Sequence, residues 1–251
     1  MQRHGISAIL ENKYMSNSYF KFKHFTVYQD KCAMKVGTDG VLLGAWASIS
    51  GVNSILDIGT GTGLISLMLS QRSNHSLPID AIDIDKDAVV QAQENVSQAG
   101  FLNISCNSVS LAEYEQNTSK KYDLIISNPP YFISSLLSPD KQRTMARHTE
   151  SLPVDDLFRL SASLLDTGGR LALIFPYQDK DLLLSLAQKS GLFTVRITNV
   201  RPTMASQYKR VLMEFSNIES MVVENELTIE MERHVYTPGF KEMLKDFYLK
   251  F

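Results

Sequence analysis

Apolar positions in this chain gather into short blocks of strand length rather than one long run. Ser54 to Ile58, Pro78 to Asp83, Asn103 to Asn107, Tyr122 to Ser127, Arg170 to Phe175, Phe193 to Val200 and Arg210 to Phe215 are such blocks, most of them rich in Ile, Leu and Val. Compact apolar blocks read as strands buried on both faces. Between several of them the pattern turns helical: Leu64 to Leu69, Lys86 to Ala99 with Asp85 as its cap and Gly100 as its end, and Val154 to Leu165. Strand and helix in alternation predict an α/β fold, a Rossmann-like doubly wound sheet of seven strands, mainly parallel, with helices on both faces. Upstream, Phe20-Lys21-Phe22-Lys23-His24-Phe25 alternates aromatic with basic residues, which predicts a strand with one apolar and one cationic face, either an edge strand guarded by its lysines or a nucleic-acid contact. Val41 to Trp46 reads as a helix capped by Thr38 or Asp39. Met1 to Tyr19 shows no period, so residues 1–19 are expected to be a loosely held extension. Residues 20–251 then form a single domain with an N-terminal strand and helix cap, and no internal repeat is found.

Two interruptions of the pattern carry chemistry. The first strand runs into Asp57-Ile58-Gly59-Thr60-Gly61-Thr62-Gly63, and glycines at alternate positions let the backbone pass close to a ligand before a helix begins. The spacing is not the G-x-G-x-x-G of a dinucleotide site, and the carboxylate of Asp57 would repel pyrophosphate while suiting a cationic ligand. Asp83, twenty residues beyond Gly63, ends the second strand where a carboxylate takes ribose hydroxyls in such folds. Ser108 and Val109 follow the third strand, placed to flank an adenine ring. The other interruption is Asn128-Pro129-Pro130-Tyr131. Two prolines stop the strand Tyr122 to Ser127, so one amide and one aromatic ring sit in a stiff loop at the sheet's carboxyl edge, where ligands bind.

At 251 residues, with 44% hydrophobic and 21% charged positions, the chain is an ordinary globular protein rather than a disordered one. No apolar run reaches the roughly 20 residues of a membrane span, and the first residues lack a secretory core, so a cytoplasmic location is expected. Cys32 and Cys106 are too few for a zinc cluster and read as buried free thiols, with no metal expected. The net charge of -2 argues against a basic coat for nucleic acid, yet local asymmetry remains. Cations outnumber acids up to Val36, and Arg196, Arg201, Lys209 and Arg210 lie in the acid-free stretch Leu192 to Met213, making them candidate phosphate contacts. Glu219 to Glu232 reads as a solvated acidic face.

With Asp57 to Gly63, Asp83 and Asn128 to Tyr131 together, the sequence resembles the class I S-adenosylmethionine-dependent methyltransferases. The Asn-Pro-Pro-Tyr motif narrows the resemblance to enzymes that methylate amino nitrogens conjugated to a π system. Phe20 to Lys23, Cys32 to Gly40 and Arg143 to His148 make it more similar to the bacterial valine tRNA adenine-37 N(6)-methyltransferases, although Ser108 stands where those relatives usually carry an acid. The resemblance implies S-adenosyl-L-methionine as cofactor and tRNA as partner. It assigns the methionine part to Asp57, Gly59, Gly61 and Gly63 with Thr38 or Asp39 at its end, the ribose to Asp83, and the substrate amine to Asn128 and the Pro129 carbonyl, with Tyr131 stacked on the base. Lys21 and Lys23, and Arg143, Arg147 and His148 in the Phe132 to Ser151 loop, are then RNA contacts. Two other readings remain: N5-methylation of a glutamine side chain in a protein such as a release factor, and a Rossmann-type nucleotide-binding protein without enzymatic activity. Oligomeric state is left open, a monomer being the default.

Overall fold

The computed structural model describes residues 18–32, 34–130 and 152–250. Tyr131, Arg143, Arg147 and His148 fall outside the described residues, as do 1–17 of the expected extension. The chain opens with β1 (Tyr19–Lys21), β2 (Thr26–Tyr28) and α1 (Thr38–Trp46). It continues through β3 (Ile55–Ile58), α2 (Leu64–Arg72), β4 (Ile79–Asp83), α3 (Lys86–Ala99), β5 (Ile104–Ser108), α4 (Leu111–Asn117) and β6 (Tyr122–Ser127). After it come α5 (Val154–Leu164), β7 (Leu165–Pro176), α6 (Lys180–Lys189), β8 (Phe193–Thr203), β9 (Arg210–Ser216), β10 (Val223–Glu232), β11 (Val235–Tyr236) and α7 (Pro238–Leu244).

Among the described residues the main sheet has nine strands, ordered β11-β10-β8-β9-β7-β6-β3-β4-β5. From β5 to β7 all pairings are parallel, and β9 runs antiparallel between β7 and β8. The α/β doubly wound expectation holds, but seven strands were too few. The stretch read as a solvated acidic face forms β10, parallel to β8. It folds so because Leu227 is buried while Glu224 pairs with Lys180 at the start of α6 and Glu226 with Arg201 on β8.

Alternation along each central strand divides the core into two layers. Ile55, Leu124, Ile126, Ala172 and Ile174 face α1, α2 and the terminal elements, whereas Leu56, Ile125, Leu171, Leu173 and Phe175 face α5 and α6. The chain order steps outward from β3 to β4 and β5, then returns to β6 on the other side of β3. That reversal puts a crevice at the carboxyl ends of β3 and β6, the place where such sheets take ligands.

Two local expectations are corrected. The alternating Phe20 to Phe25 stretch is not one strand: β1 and β2 pair antiparallel, and the amide of Phe22 donates to the Phe25 carbonyl across the turn. Burial drives this, since Phe22 and Phe25 stack 4.8 Å apart and pack on Tyr248 and Phe101. The helix α1 starts earlier than expected, with Gly37 as its cap and no side-chain capping bond, so Thr38 and Asp39 are its first residues rather than caps. The α3 termini are as read: Asp85 accepts from the amides of Asp87 and Ala88, and Gly100 takes the left-handed conformation at φ 73°.

Candidate active site

The glycine turn after β3 is built by the backbone and locked by two carboxylates. Gly59 and Gly61 hold φ of 69° and 54°, open to glycine at little cost, and a Cβ on either would meet nothing within 4 Å, so the turn borders free space. The amides of Gly59 and Thr60 both donate to the Ile82 carbonyl at the end of β4. Beneath the turn, Asp57 accepts from Thr60 Oγ1 at 2.8 Å and Ser66 Oγ at 2.7 Å, both through Oδ2. Its other oxygen, Oδ1, is buried without a hydrogen-bond partner. Burial pushes this carboxyl up to about 6, against the two hydroxyls that lower it. Asp83 closes the other side, accepting from the amide of Gly61 at 2.8 Å and that of Asp85 at 3.0 Å. Burial again raises its carboxyl above the usual range.

Facing the turn, α1 presents its N-terminus, where the cap Gly37 supplies no side-chain bond. The far end of α1 is tied down by three arginines: Arg72 donates to the carbonyls of Gly44 and Ala47, Arg196 to that of Trp46, and Arg170 to those of Ser48 and Ser50. Asn95, wholly buried, accepts from the Tyr28 amide and donates to the carbonyls of Tyr28 and Thr62, which joins β2, α3 and the glycine turn. The strap from Met34 to Gly37 is thereby held over the crevice, with the Val36 amide bonded to Gln29 Oε1.

At the end of β6, Ser127 Oγ donates to the Ile58 carbonyl at 2.8 Å, so the Asn128 loop and the glycine turn are fixed to each other. The result is a cavity of about 390 Å³ lined by the strap, Thr38, Asp39, Gly40, the turn from Gly59 to Thr62, Asn128 and Arg210. Arg210 enters from β9 and its Nε donates to Asp39 Oδ2 at 2.8 Å. A Cβ on Gly40 would lie 3.7 Å from Asn128 Nδ2, which shows how closely α1 approaches the amide.

Of the expected site residues, Thr38, Asp39, Gly59, Gly61 and Asn128 come together in this cavity. Asp57 does not line it: the side chain is 0% exposed and its bonds hold the turn from below. Gly63 is also structural, because it starts α2 at φ 79° with a would-be Cβ 3.3 Å from Ala92. Asp83, Ser108 and Val109 lie at the adjoining ends of β4 and β5, where the Val109 amide donates to the Asp83 carbonyl. Pro129 is buried beside Asn128.

Lys21 and Lys23 lie on the β1–β2 hairpin outside the cavity, and Lys23 Nζ is bonded to the carbonyl of Lys245. Three of the four candidate phosphate contacts are ion-paired: Arg196 with Glu214, Arg201 with Glu226 and Arg210 with Asp39. The acid-free stretch is thus neutralised by acids from other parts of the chain, and only Lys209 among the four keeps an exposed side without a recorded ion pair among the described residues. Arg210, expected as a phosphate contact, and Lys35, carried only within the Cys32 to Gly40 motif, both line the cavity, a role the sequence did not assign to either. Cys32 and Cys106 are free, and burial pushes both thiols up to about 11, out of reach of reactivity near neutral pH.

A family model described as the methyltransferase small domain matches residues 40–180. A tRNA1(Val) (adenine(37)-N6)-methyltransferase from Parabacteroides distasonis is 51% identical over 238 residues, covering 94% of this chain and 100% of the relative. A protein of the same name from Trichodesmium erythraeum is 45% identical over 239 residues, with 94% and 100% covered. Among solved structures, a predicted O-methyltransferase from Agrobacterium tumefaciens superposes with a TM-score of 0.64 at 17% identity, covering 83% of this chain and 96% of the other, a likeness of fold.

Proposed function

Because this chain belongs to the methyltransferase small domain family, among the tRNA1(Val) (adenine(37)-N6)-methyltransferases, we propose that the cavity between α1, the glycine turn and Asn128 is its catalytic centre. The enzyme methylates the exocyclic amine of adenine in tRNA, adenine 37 of a valine tRNA, with S-adenosyl-L-methionine as methyl donor. Cytoplasmic tRNA processing is the setting that fits, and no helix among the described residues is long and apolar enough to cross a membrane.

The residues present fit that cofactor. Open space above Gly59 and Gly61 accepts a ligand against the backbone, and the unpartnered Oδ1 of Asp57 beneath the turn puts negative charge under a cation. The first residues of α1 suit the carboxylate at the methionine end, since they lie at the positive pole of the helix. Arg210 neutralises Asp39 there, so the side chain of Asp39 does not oppose an anion. Asp83, Ser108 and Val109 are the group we assign to ribose and adenine. When bound, the cofactor supplies a methyl group on a positively charged sulfur.

The observation that carries the reading is Asn128, held by the Ser127 bond to Ile58 at the mouth of the same cavity as the glycine turn. Its side-chain oxygen and the Pro129 carbonyl are proposed to accept the two hydrogens of the adenine amine. An amine conjugated to a ring is planar and weakly nucleophilic, and two fixed acceptors favour the pyramidal geometry that frees its lone pair. No strong base is needed before attack: methyl transfer leaves the nitrogen cationic and acidic, and its proton, hydrogen-bonded to the Asn128 or Pro129 oxygen, passes on to solvent. The base must leave its stack to reach these groups, at a cost of a few kcal/mol. Unmodified cellular tRNA and release factor, each incubated with labelled cofactor, digested and identified, test this. N6-methyladenine from tRNA is the expected product, and label confined to glutamine would overturn the RNA assignment.

A further inference from the structure

The carboxyl edge that carries Asn128 continues beyond Arg210 into a pair of tyrosines that the reaction does not use. Tyr177 lies in the short 3-10 helix Tyr177–Asp179 after β7, and Tyr208 lies between β8 and β9. Their ring centroids are 5.0 Å apart with planes tilted by 42°. A cation accompanies each ring, Lys180 Nζ at 5.8 Å from the Tyr177 centroid and Arg201 Cζ at 5.4 Å from that of Tyr208. Glu224 and Glu226 pair with those two cations, so the group is close to neutral and offers rings more than charge. Both rings are only part-buried, and Lys209 beside them is exposed.

The pair is fixed to the catalytic cavity by backbone. The Lys209 amide donates to the Val200 carbonyl at 2.8 Å, and the Lys209 carbonyl accepts from the Tyr177 amide at 3.1 Å and from Arg210 Nη1 at 3.0 Å. Arg210, the next residue, lines the cavity with Asn128. We propose that Tyr177 and Tyr208 form a stacking platform for an unpaired tRNA nucleotide near the methylated adenine, with Lys209 contacting its phosphate. The proposal rests on the tRNA reading of the site. An adenine drawn out of its stack leaves neighbouring bases partly unstacked, and aromatic side chains held at the same edge take up that lost stacking without regard to base identity. Since Lys180 and Arg201 are already paired, stacking supplies the binding at the rings and Lys209 supplies the charge.

The test compares wild type, Tyr208→Ala, Tyr208→Phe and Lys209→Ala, using unmodified valine tRNA transcript as probe. Tyr208→Ala should raise Kd and KM for the transcript roughly tenfold. Cofactor affinity and melting temperature should stay put, and Tyr208→Phe should bind close to wild type. The slope of log affinity against log salt should be unchanged in Tyr208→Ala and smaller by about one in Lys209→Ala. Ultraviolet crosslinking of the wild-type protein to the transcript, read by peptide mapping, should label Tyr177 or Tyr208, a readout independent of how any variant folds. Wild-type Kd and KM in Tyr208→Ala overturn the platform, as do a Phe variant as weak as the Ala one or crosslinks that avoid both tyrosines. If wild type methylates tRNA and Tyr208→Ala is unaffected, the platform fails alone; if wild type methylates no tRNA, both readings fall.

Discussion

Replacing Asp57 with Asn should make the protein more stable at neutral pH and worse at holding its cofactor. Asp57 is 0% exposed, one of its oxygens has no partner, and burial pushes the carboxyl from 3.8 up to about 6. A native-state value above the unfolded one means that the stabilising contribution is complete below about pH 4 and is lost as pH rises through 6. The gap between the two values corresponds to about 3 kcal/mol. Asn has the same shape, carries no charge at any pH and keeps an oxygen for Thr60 and Ser66. Urea unfolding of both proteins at steps from pH 4 to 8 isolates the group, because the other titrations cancel in the difference. The advantage of Asp57→Asn should grow by up to about 3 kcal/mol between pH 4 and pH 7. Calorimetry should then show a smaller preference for S-adenosylmethionine over S-adenosylhomocysteine in the variant, since the buried anion favours the sulfonium charge. A stability difference that does not change with pH, or a wild type more stable than Asp57→Asn at pH 8, would refute the reasoning.

Asn128→Ala should slow single-turnover methylation of tRNA by on the order of a hundredfold or more at saturating cofactor. Cofactor affinity by calorimetry should hardly change, and a wild-type rate in a folded Asn128→Ala protein would return the motif to a structural role. Asn95→Ala should cost about 2 kcal/mol or more in urea unfolding, because it strands buried groups of Tyr28 and Thr62. It should also weaken cofactor binding by loosening the strap and the glycine turn; full stability and affinity in that variant would remove Asn95 as the link. Affinity for tRNA should fall steeply between low and physiological salt. Lys21→Glu should weaken binding without touching the cofactor, and equal affinities at several salt concentrations would leave the β1–β2 hairpin as a purely structural element.

Much of the scaffold was legible in the sequence because it is set by short-range physics. The central strands follow from apolar blocks that must be buried on both faces, the α3 ends from Asp85 and Gly100, and the glycine turn and the stop after Ser127 from residues with restricted or permissive backbones. Such signals act within a few residues, so reading the chain in order recovers them. From the same signals came the placement of Asn128 at a carboxyl edge.

Only the tertiary structure decided where charges end up. Arg196, Arg201 and Arg210 sit in a stretch without acids, yet each is paired by an acid that the fold brings in: Glu214 from the neighbouring strand, Glu226 from β10 and Asp39 from α1. The same long-range pairing turns an acidic stretch into strand β10, and the burial of Phe22 and Phe25 against distant Tyr248 and Phe101 breaks an alternating pattern into a hairpin. Asp57 was recognisable as chemically important from its place before the glycines, but whether it lines the cavity or lies beneath the turn depends on Ser66 of α2 packing under β3. Local pattern reports what a residue prefers beside its chain neighbours; the partner that neutralises or buries it lies in another element, whether near in the chain as Ser66 is to Asp57 or far as Asp39 is from Arg210, and folding alone selects it.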